Sequence, residues 1–258
     1  MIWPLLRTRR WLGFTAVVIL AIVAFGLLSQ WQWHRAEQKR MQRVELQSAL
    51  SLTPTPLAAV ELAAGATVAM ADQWRAVAVA GTYLPEQQVV VRKRPLDARN
   101  GFWVMTPLRQ EDGTLVWVNR GWLPAGQDAL STPPLPAPPA GPVEVTGYLR
   151  AFEDAAANGN LGLPAGQIAA PAAALLPPVP VVLQGYVQLV SSEPPQQELI
   201  VLPVPTIDEG QNVSYAVQWL IFAAVAMGGW FFFLRREALE DAERRRASSS
   251  VAVATEGA

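Results

Sequence analysis

The chain has 258 residues, of which 51% are hydrophobic, and its formal net charge at pH 7 is −1. It contains no cysteine and one histidine, which excludes disulfides, a CxxC redox pair, covalent attachment of c-type haem and the usual histidine-rich sites for zinc or copper. The nearly neutral charge gives no reason to expect a nucleic acid as a partner.

Two uncharged runs contain much of the hydrophobic sequence: residues 11–28, "WLGFTAVVILAIVAFGLL", and residues 215–234, "YAVQWLIFAAVAMGGWFFFL". At about 1.5 Å of rise per residue, each run would extend about 27–30 Å as a helix, which is enough to cross a hydrocarbon core. A secretory signal peptide would also explain the basic residues before the first run, but the run is longer than a usual h-region and no small-x-small cleavage site follows it. We therefore predict two uncleaved transmembrane helices. The predicted segments are a cytoplasmic N-terminus (1–11), helix one (12–33), an extracytoplasmic domain (34–214), helix two (215–234) and a cytoplasmic tail (235–258).

The predicted sidedness follows from the charged residues beside the two runs. Five arginines follow the second run, whereas Asp208 and Glu209 lie before it. The first run has basic residues on both sides and does not indicate an orientation. Two spans place both chain ends on the same side of the membrane, so the charges beside the second run determine the predicted orientation. The large excess of arginine over lysine suggests a GC-rich bacterial coding sequence, so the predicted location is the plasma membrane of a bacterium.

The region between the runs contains short segments that are rich in β-branched and aromatic residues and bounded by glycine, proline or asparagine. They cover residues 74–83, 87–94, 102–108, 114–123, 143–149, 180–190 and 197–204. These segments predict six or seven strands in a mostly antiparallel sheet or a partly closed barrel. The polar stretch 36–50 predicts that the first helix continues until "TPTP", residues 53–56, stops it. The predicted fold class is two transmembrane α-helices flanking a mostly antiparallel, β-rich (α+β) extracytoplasmic domain.

The chain's histidine, His34, lies about one helical turn beyond the first apolar run, beside Trp31, Trp33 and Arg35. The two indoles fit an aromatic belt at a membrane surface, where the arginine can extend toward the headgroups. The same imidazole could instead ligate a haem iron. The aromatic belt is the preferred interpretation of this cluster, and haem ligation by His34 is the alternative.

Two aromatic residues, Tyr215 and Trp219, open the second run four residues apart and therefore on one helix face. They predict interfacial anchoring. The alternative is that they pack against Trp31 or Trp33 and form a pocket between the two helices.

Within the domain, "VNRGWLP", residues 118–124, has the densest local signal. Asn119 and Gly121 suit a tight turn or a bulge at a strand end, and Pro124 ends a strand ladder. Arg120 is predicted to be exposed, either within a structural turn or as a contact for a carboxylate, such as a haem propionate or an acidic partner. The basic loop 91–101 is predicted to be solvated or to face headgroups, with an anionic-ligand site as the alternative.

The order of these segments resembles the surfeit-locus (Shy-type) family of cytochrome c oxidase assembly factors. The resemblance is carried by "LLSQWQWHRAEQK", "VAVAGTYLPEQQVVVRKR", "NGFWVMTPLRQEDGTLVWVNRGWLP", "VEVTGYLR" and "SYAVQWLIFA". It runs from about residue 12 to residue 236 and matches poorly over 125–141 and 155–180. "TPL…DGTLVWVNRGW" is its most specific part.

The resemblance implies a membrane-anchored, non-enzymatic factor that assists maturation of subunit I of an aa3-type oxidase, with handling or insertion of haem a as the family's usual interpretation. The implied partners are subunit I, other oxidase or supercomplex subunits and the lipid bilayer; the implied cofactor is at most a transient haem a. The residues that match the family's motifs are Trp31, Gln32, Arg35, Asn119, Arg120, Gly121, Trp122, Tyr215 and Trp219. Many members have a histidine, a favoured candidate haem ligand, where this chain has Asn212. Either this chain holds no haem through the second span, or His34 compensates from the first, or iron ligation is not essential to the role. The rival interpretations are a structural accessory subunit of the mature oxidase and a membrane-anchored enzyme with an unrecognised site.

Overall fold

The computed structural model describes the backbone of residues 3–60, 65–126 and 134–256, and the side chains of 5–60, 65–126 and 134–246. The chain divides into two compact units. One is helical and contains Met1–Val44 and Thr206–Ala258; the other contains Glu45–Pro205 and is built on a sheet.

The helical unit contains a short helix α1 (Trp3–Leu6) and most of two long helices, α2 (Arg9–Leu50) and α3 (Gly210–Glu256). Both long helices are apolar enough to cross a membrane. Helix α2 ends three residues before "TPTP", as predicted, because proline cannot continue the hydrogen-bond ladder. The side chain of Asp208 caps the start of α3, where its Oδ1 accepts a hydrogen bond from the backbone N–H of Gly210 at 2.8 Å.

The second unit contains eight strands in one sheet. They are β1 (Thr55–Pro56), β2 (Ala76–Tyr83), β3 (Val89–Val91), β4 (Gly101–Arg109), β5 (Leu115–Pro124), β6 (Pro142–Ala151), β7 (Gln167–Ile168) and β8 (Val181–Glu193). Their order is β1-β2-β6-β8-β5-β4-β3-β7, and β2 also pairs with β4. Five strands therefore form a closed ring, β2-β6-β8-β5-β4, which agrees with the prediction of a small barrel.

The sheet is mixed but mostly antiparallel, as predicted: five of the eight described strand pairs are antiparallel. The pairs β1–β2, β3–β7 and β5–β8 are parallel, and the other described pairs are antiparallel. Strand β8 reaches β5 only after the chain has passed through β6 and β7, and such a long crossover permits parallel pairing. The segment 197–204 is not a strand: its backbone forms one bridge to the sheet, Ile200 to Trp122, and Gln188 Nε2 of β8 donates to the oxygen of Leu202 at 3.3 Å.

Strand β5 separates two hydrophobic clusters because its side chains alternate between its two faces. Val116 and Val118 belong to a cluster to which all five ring strands contribute, so this cluster fills the barrel. Trp117 belongs to a second cluster on the outside, with Leu175 and Leu176 from the segment between β7 and β8. That segment therefore covers one outer face of the barrel.

Candidate functional site

The helices α2 and α3 are joined by polar contacts on one face of α2. Ser29 Oγ donates to the backbone oxygen of Ala216 at 2.9 Å, and Asn212 Nδ2 donates to Gln32 Oε1 at 2.8 Å. One turn further along α2, Ala36 is buried. Residues three and four apart lie on one helix face, so Ser29, Gln32 and Ala36 form a continuous stripe toward α3. We call these residues, with Asn212 and Ala216, the helix clasp.

Charged groups extend the contact beyond the clasp. Lys39 Nζ donates to the backbone oxygen of Asp208 at 3.2 Å, and Arg43 forms an ion pair with Glu209 at 2.8 Å. Both contacts continue the same spacing along α2. The two helices are therefore held side by side as they leave their apolar segments.

The aromatic contacts between the helices differ from those predicted. Trp219 stacks on Phe25, with ring centroids 5.7 Å apart, and not on Trp31 or Trp33. Trp31 and Trp33 are 56% and 55% exposed, and Tyr215 is also exposed. The predicted pocket among these residues is therefore not formed, and their outward faces fit the belt interpretation.

His34 and Arg35 are both exposed on α2. Across the helix pair, the carboxamide of Asn212 is bound to Gln32 and offers no imidazole. Within the part of the chain that the structure describes, no group of three or more His, Asp or Glu side chains could hold a metal ion. The described residues do not fit an enclosed haem site, because His34 is exposed on α2 and Asn212 offers no imidazole.

Arg120 lies within β5 and is 0% exposed, so the prediction of an exposed arginine is wrong. Its Nη1 donates to Gln88 Oε1 at 2.7 Å and to the backbone oxygen of Pro136 at 3.0 Å. Its Nη2 donates to the oxygen of Ala137 at 3.2 Å, and its Nε donates to Gln196 Oε1 at 3.2 Å. All four acceptors are neutral, so the buried charge is compensated by hydrogen bonds and not by the predicted carboxylate.

The guanidinium also lies over the ring of Tyr83, with 5.5 Å between its carbon and the ring centroid. Burial lowers the pKa of Arg120 from its ordinary value. Burial also raises the pKa of Tyr83, and the nearby positive charge of Arg120 opposes that rise only in part. Tyr83 is therefore a neutral phenol at physiological pH, and Arg120 is a structural group that ties together three distant segments of the domain.

The residues around Arg120 form a bulge within β5. Val104 pairs with Gly121 and Met105 pairs with Asn119, which leaves Arg120 as the extra residue. Gly121 has φ +144, and a Cβ at this position would lie 2.7 Å from the oxygen of Ile200. Only glycine lets the segment after β8 approach so closely.

Trp122, next in the motif, is buried and its Nε1 donates to the oxygen of Arg94 at 2.6 Å. Arg94 in turn forms two bonds to the carboxylate of Glu153, at 2.7 and 2.8 Å, and its guanidinium lies 4.3 Å from the ring centroid of Trp103. The basic loop is thus anchored at Arg94, which is engaged within the domain and is not a free site for an anion.

Several residues that build these contacts carried no sequence prediction: Ser29, Ala36, Gln88 and Gln196. The helix stripe was recognisable, because positions 29, 32, 36, 39 and 43 repeat at three and four residues. The glutamines were not, because Gln88 and Gln196 lie 32 and 76 positions from Arg120 and no local pattern links them.

Comparison with protein families shows which family the chain belongs to. The model of the SURF1 family matches residues 19–224, most of the chain. This chain belongs to the SURF1 family. The family is known in general for oxidase assembly, and the resemblance noted from the motifs is confirmed.

Curated relatives support the same assignment. Proteins of Mycobacterium bovis and Mycobacterium tuberculosis, both named as uncharacterized SURF1-like proteins, are 30% identical over 238 residues, which cover 88% of this chain and 84% of theirs. A SURF1-like protein of Dictyostelium discoideum is 28% identical over 114 residues, or 43% of this chain and 42% of that protein.

Proposed function

We propose that this SURF1-family protein is a membrane-anchored, non-enzymatic assembly factor for an aa3-type cytochrome c oxidase in a bacterial plasma membrane. It assists maturation of subunit I, and the step it assists is insertion of haem a. Its chain ends lie in the cytoplasm and its barrel lies outside. The observation that carries the proposal is the clasped pair of apolar helices, within a chain of this family, whose outer faces are exposed along their length.

The clasp supports the proposal because it holds the two helices together in lipid, where apolar side chains alone give little driving force for association. Lipid tails are as apolar as the side chains, so helices associate there through close packing and a few hydrogen bonds. The bonds of Ser29 and Gln32 to α3 use polar groups to hold the pair together. The outward aromatic and aliphatic side chains remain available to contact helices of subunit I.

A role for His34 as a transient haem contact stays a proposal. The imidazole is exposed on α2 next to Trp33, so the remaining walls and the other ligand would come from a partner. Purification of the full chain from cells that synthesise haem a tests this point. We expect an a-type chromophore that His34→Ala removes; if wild-type protein carries none, this part of the proposal is wrong, but the assembly role is unaffected.

The assembly role is tested by reduced-minus-oxidised spectra of membranes from a strain that lacks the gene. We expect the a-type band to fall while the b-type and c-type bands persist, and complementation to restore it. An unchanged a-type band would overturn the proposal. Stoichiometric presence of the protein in purified, mature oxidase would favour a structural accessory subunit instead. A turnover lost in His34→Ala while the fold is intact would favour an enzyme.

A further inference from the structure

A cavity of about 560 Å³ lies between α2 and α3, close to the N-terminal end of α2. It lies where the first uncharged run begins, at Trp11, and where the second uncharged run ends, at Leu234. Trp11, Phe14 and Phe233 supply aromatic walls, and two arginines, Arg10 and Arg236, line it from different helices. The cavity therefore combines an apolar side with a cationic side at the boundary between uncharged and charged sequence.

The aromatic side is firmly held. Trp11 is 3% exposed and packs with Leu5 and Leu234 in a small hydrophobic cluster. Its ring meets Phe14 edge-on, with centroids 5.6 Å apart. Phe14 and Phe233 are exposed, so the apolar wall is continuous with the outer surface of the helices.

The cationic side has hydrogen-bonding capacity left over. The side chain of Arg10 is 81% exposed and contacts Glu237 at 3.4 Å, and that of Arg236 is 66% exposed and contacts Glu240 at 2.9 Å. A guanidinium has five N–H donors in a planar fork, and each of these contacts uses one. The remaining donors suit the oxygens of a phosphodiester, which guanidinium groups bind through two parallel bonds.

We propose that this cavity binds an anionic glycerophospholipid. Arg10 and Arg236 hold its phosphodiester, and an acyl chain lies along Phe14 and Phe233. The inference rests on the membrane placement given under the proposed function. Glu237 and Glu240 balance the two arginines of the lining. However, the sequence on this side of the two uncharged runs, residues 1–10 and 235–246, contains eight arginines and four acidic residues. This excess of positive charge favours an anionic headgroup over a zwitterionic one.

A lipid fits better than a free anion because the site has an apolar half. Inorganic phosphate would use only the arginines and would leave Phe14 and Phe233 uncovered. An acyl chain along these rings removes apolar surface from water, at about 25 cal/mol for each Å². The two halves of one lipid molecule therefore match the two halves of the cavity.

The test is native mass spectrometry of the full chain in detergent, titrated with phosphatidylglycerol. We expect a one-to-one adduct whose affinity falls at least about tenfold in Arg10→Gln/Arg236→Gln, since the charged hydrogen bonds to the phosphodiester are lost. Arg7→Gln/Arg9→Gln is the matched control: it removes two exposed arginines near the start of α2 that do not line the cavity. Unchanged helicity by circular dichroism shows that both variants are folded.

Three results would overturn the inference. An equal loss of affinity in the control variant would show that the lipid is attracted to the basic helix ends in general. Equal affinity for phosphatidylcholine would show that the site has no preference for an anionic headgroup. Displacement of the lipid by inorganic phosphate at comparable concentration shows a simple anion site. The lipid test is independent of the oxidase: an unchanged a-type spectrum in the deletion strain overturns the assembly role alone, whereas absence of the adduct overturns the lipid site alone.

Discussion

Replacement of Arg120 by methionine tests whether the buried guanidinium holds the domain together. The variant keeps most of the side-chain length but leaves four buried acceptors without their donor, on Gln88, Gln196, Pro136 and Ala137. Bonds to a charged donor contribute about 1.5–3 kcal/mol each, and such contributions do not add fully. Part of the loss is recovered, because the charge no longer has to be buried. We expect the free energy of unfolding of the domain to fall by about 3–5 kcal/mol.

The assay combines denaturant unfolding, followed by tryptophan fluorescence, with hydrogen exchange measured by mass spectrometry. The N–H of Ile200 donates to the oxygen of Trp122 at 3.0 Å, so its exchange reports whether the segment after β8 stays on the barrel. Gln196 Nε2 also donates to the backbone oxygen of Arg120, which ties the same segment to the bulge. We expect the Ile200 amide to lose protection in Arg120→Met before the strands of the ring do.

A matched control is Arg109→Met, at the exposed end of β4. A surface substitution of this kind changes stability by less than about 0.5 kcal/mol. If Arg120→Met costs less than about 1 kcal/mol, or if the Ile200 amide keeps its protection, the reasoning from the four hydrogen bonds is refuted.

Three further predictions concern the clasp, the buried phenol and the bulge. Because the chain has no cysteine, Ser29→Cys/Ala216→Cys gives a clean test of the clasp, and we expect efficient disulfide formation in membranes on a non-reducing gel, since the short Ser29 side chain reaches the Ala216 backbone. Tyr83→Phe should be about as stable as wild type at pH 7 and more stable above pH ~10, since burial raises the pKa of the Tyr83 phenol and the unfolded chain ionises first; denaturation as a function of pH measures this. Gly121→Ala should destabilise by about 1–3 kcal/mol, because the backbone is in a glycine conformation and the new Cβ meets Ile200, as the midpoint of denaturant unfolding will show.

Each of these predictions has its own control. Trp33→Cys/Val217→Cys places both thiols on exposed helix positions and should cross-link poorly; equal cross-linking would contradict the clasp. For the phenol, a wild-type stability that is flat from pH 9 to 11 would contradict the argument from burial. For the bulge, Gly113→Ala has φ +83 but open space around its Cβ, so a cost equal to that of Gly121→Ala would show that the contact with Ile200 adds nothing.

The parts of the fold that local chemistry determines were predictable from the sequence. The proline-rich "TPTP" marks the end of α2, and β-branched and aromatic residues in segments such as 114–123 mark strands. The pairing of β2 with β4 and the parallel pairing of β5 with β8 were not predictable, because strand pairing depends on contacts between residues that are distant in the chain. The segment 197–204 was predicted wrongly for a related reason: it is apolar and β-branched like a strand, but it covers the bulge and forms only one backbone bridge to the described sheet, at Ile200.

Arg120 was misassigned because arginine is almost always exposed unless it is paired, and its acceptors come from parts of the chain that no motif connects. Asn119 and Gly121 were predicted to form a tight turn or a bulge at a strand end, since their backbone requirements are local; the structure has a bulge, and it lies within β5. The family motif around Arg120 therefore has a structural role in this domain. Its side chains join β5 to the segments around Gln88, Pro136 and Gln196.

Helix geometry explains why His34 and Asn212 have different environments. Successive residues of an α-helix are turned by about 100°, so His34 is turned by about 200° from both Gln32 and Ala36, which face α3. His34 could approach Asn212 only if α2 rotated by about half a turn, and that rotation would break the bonds of Ser29 and Gln32. A histidine introduced at position 212 would for the same reason meet Gln32 and not His34. Any haem held by His34 must therefore be completed from the outer side of α2, the side that the proposed function assigns to the oxidase.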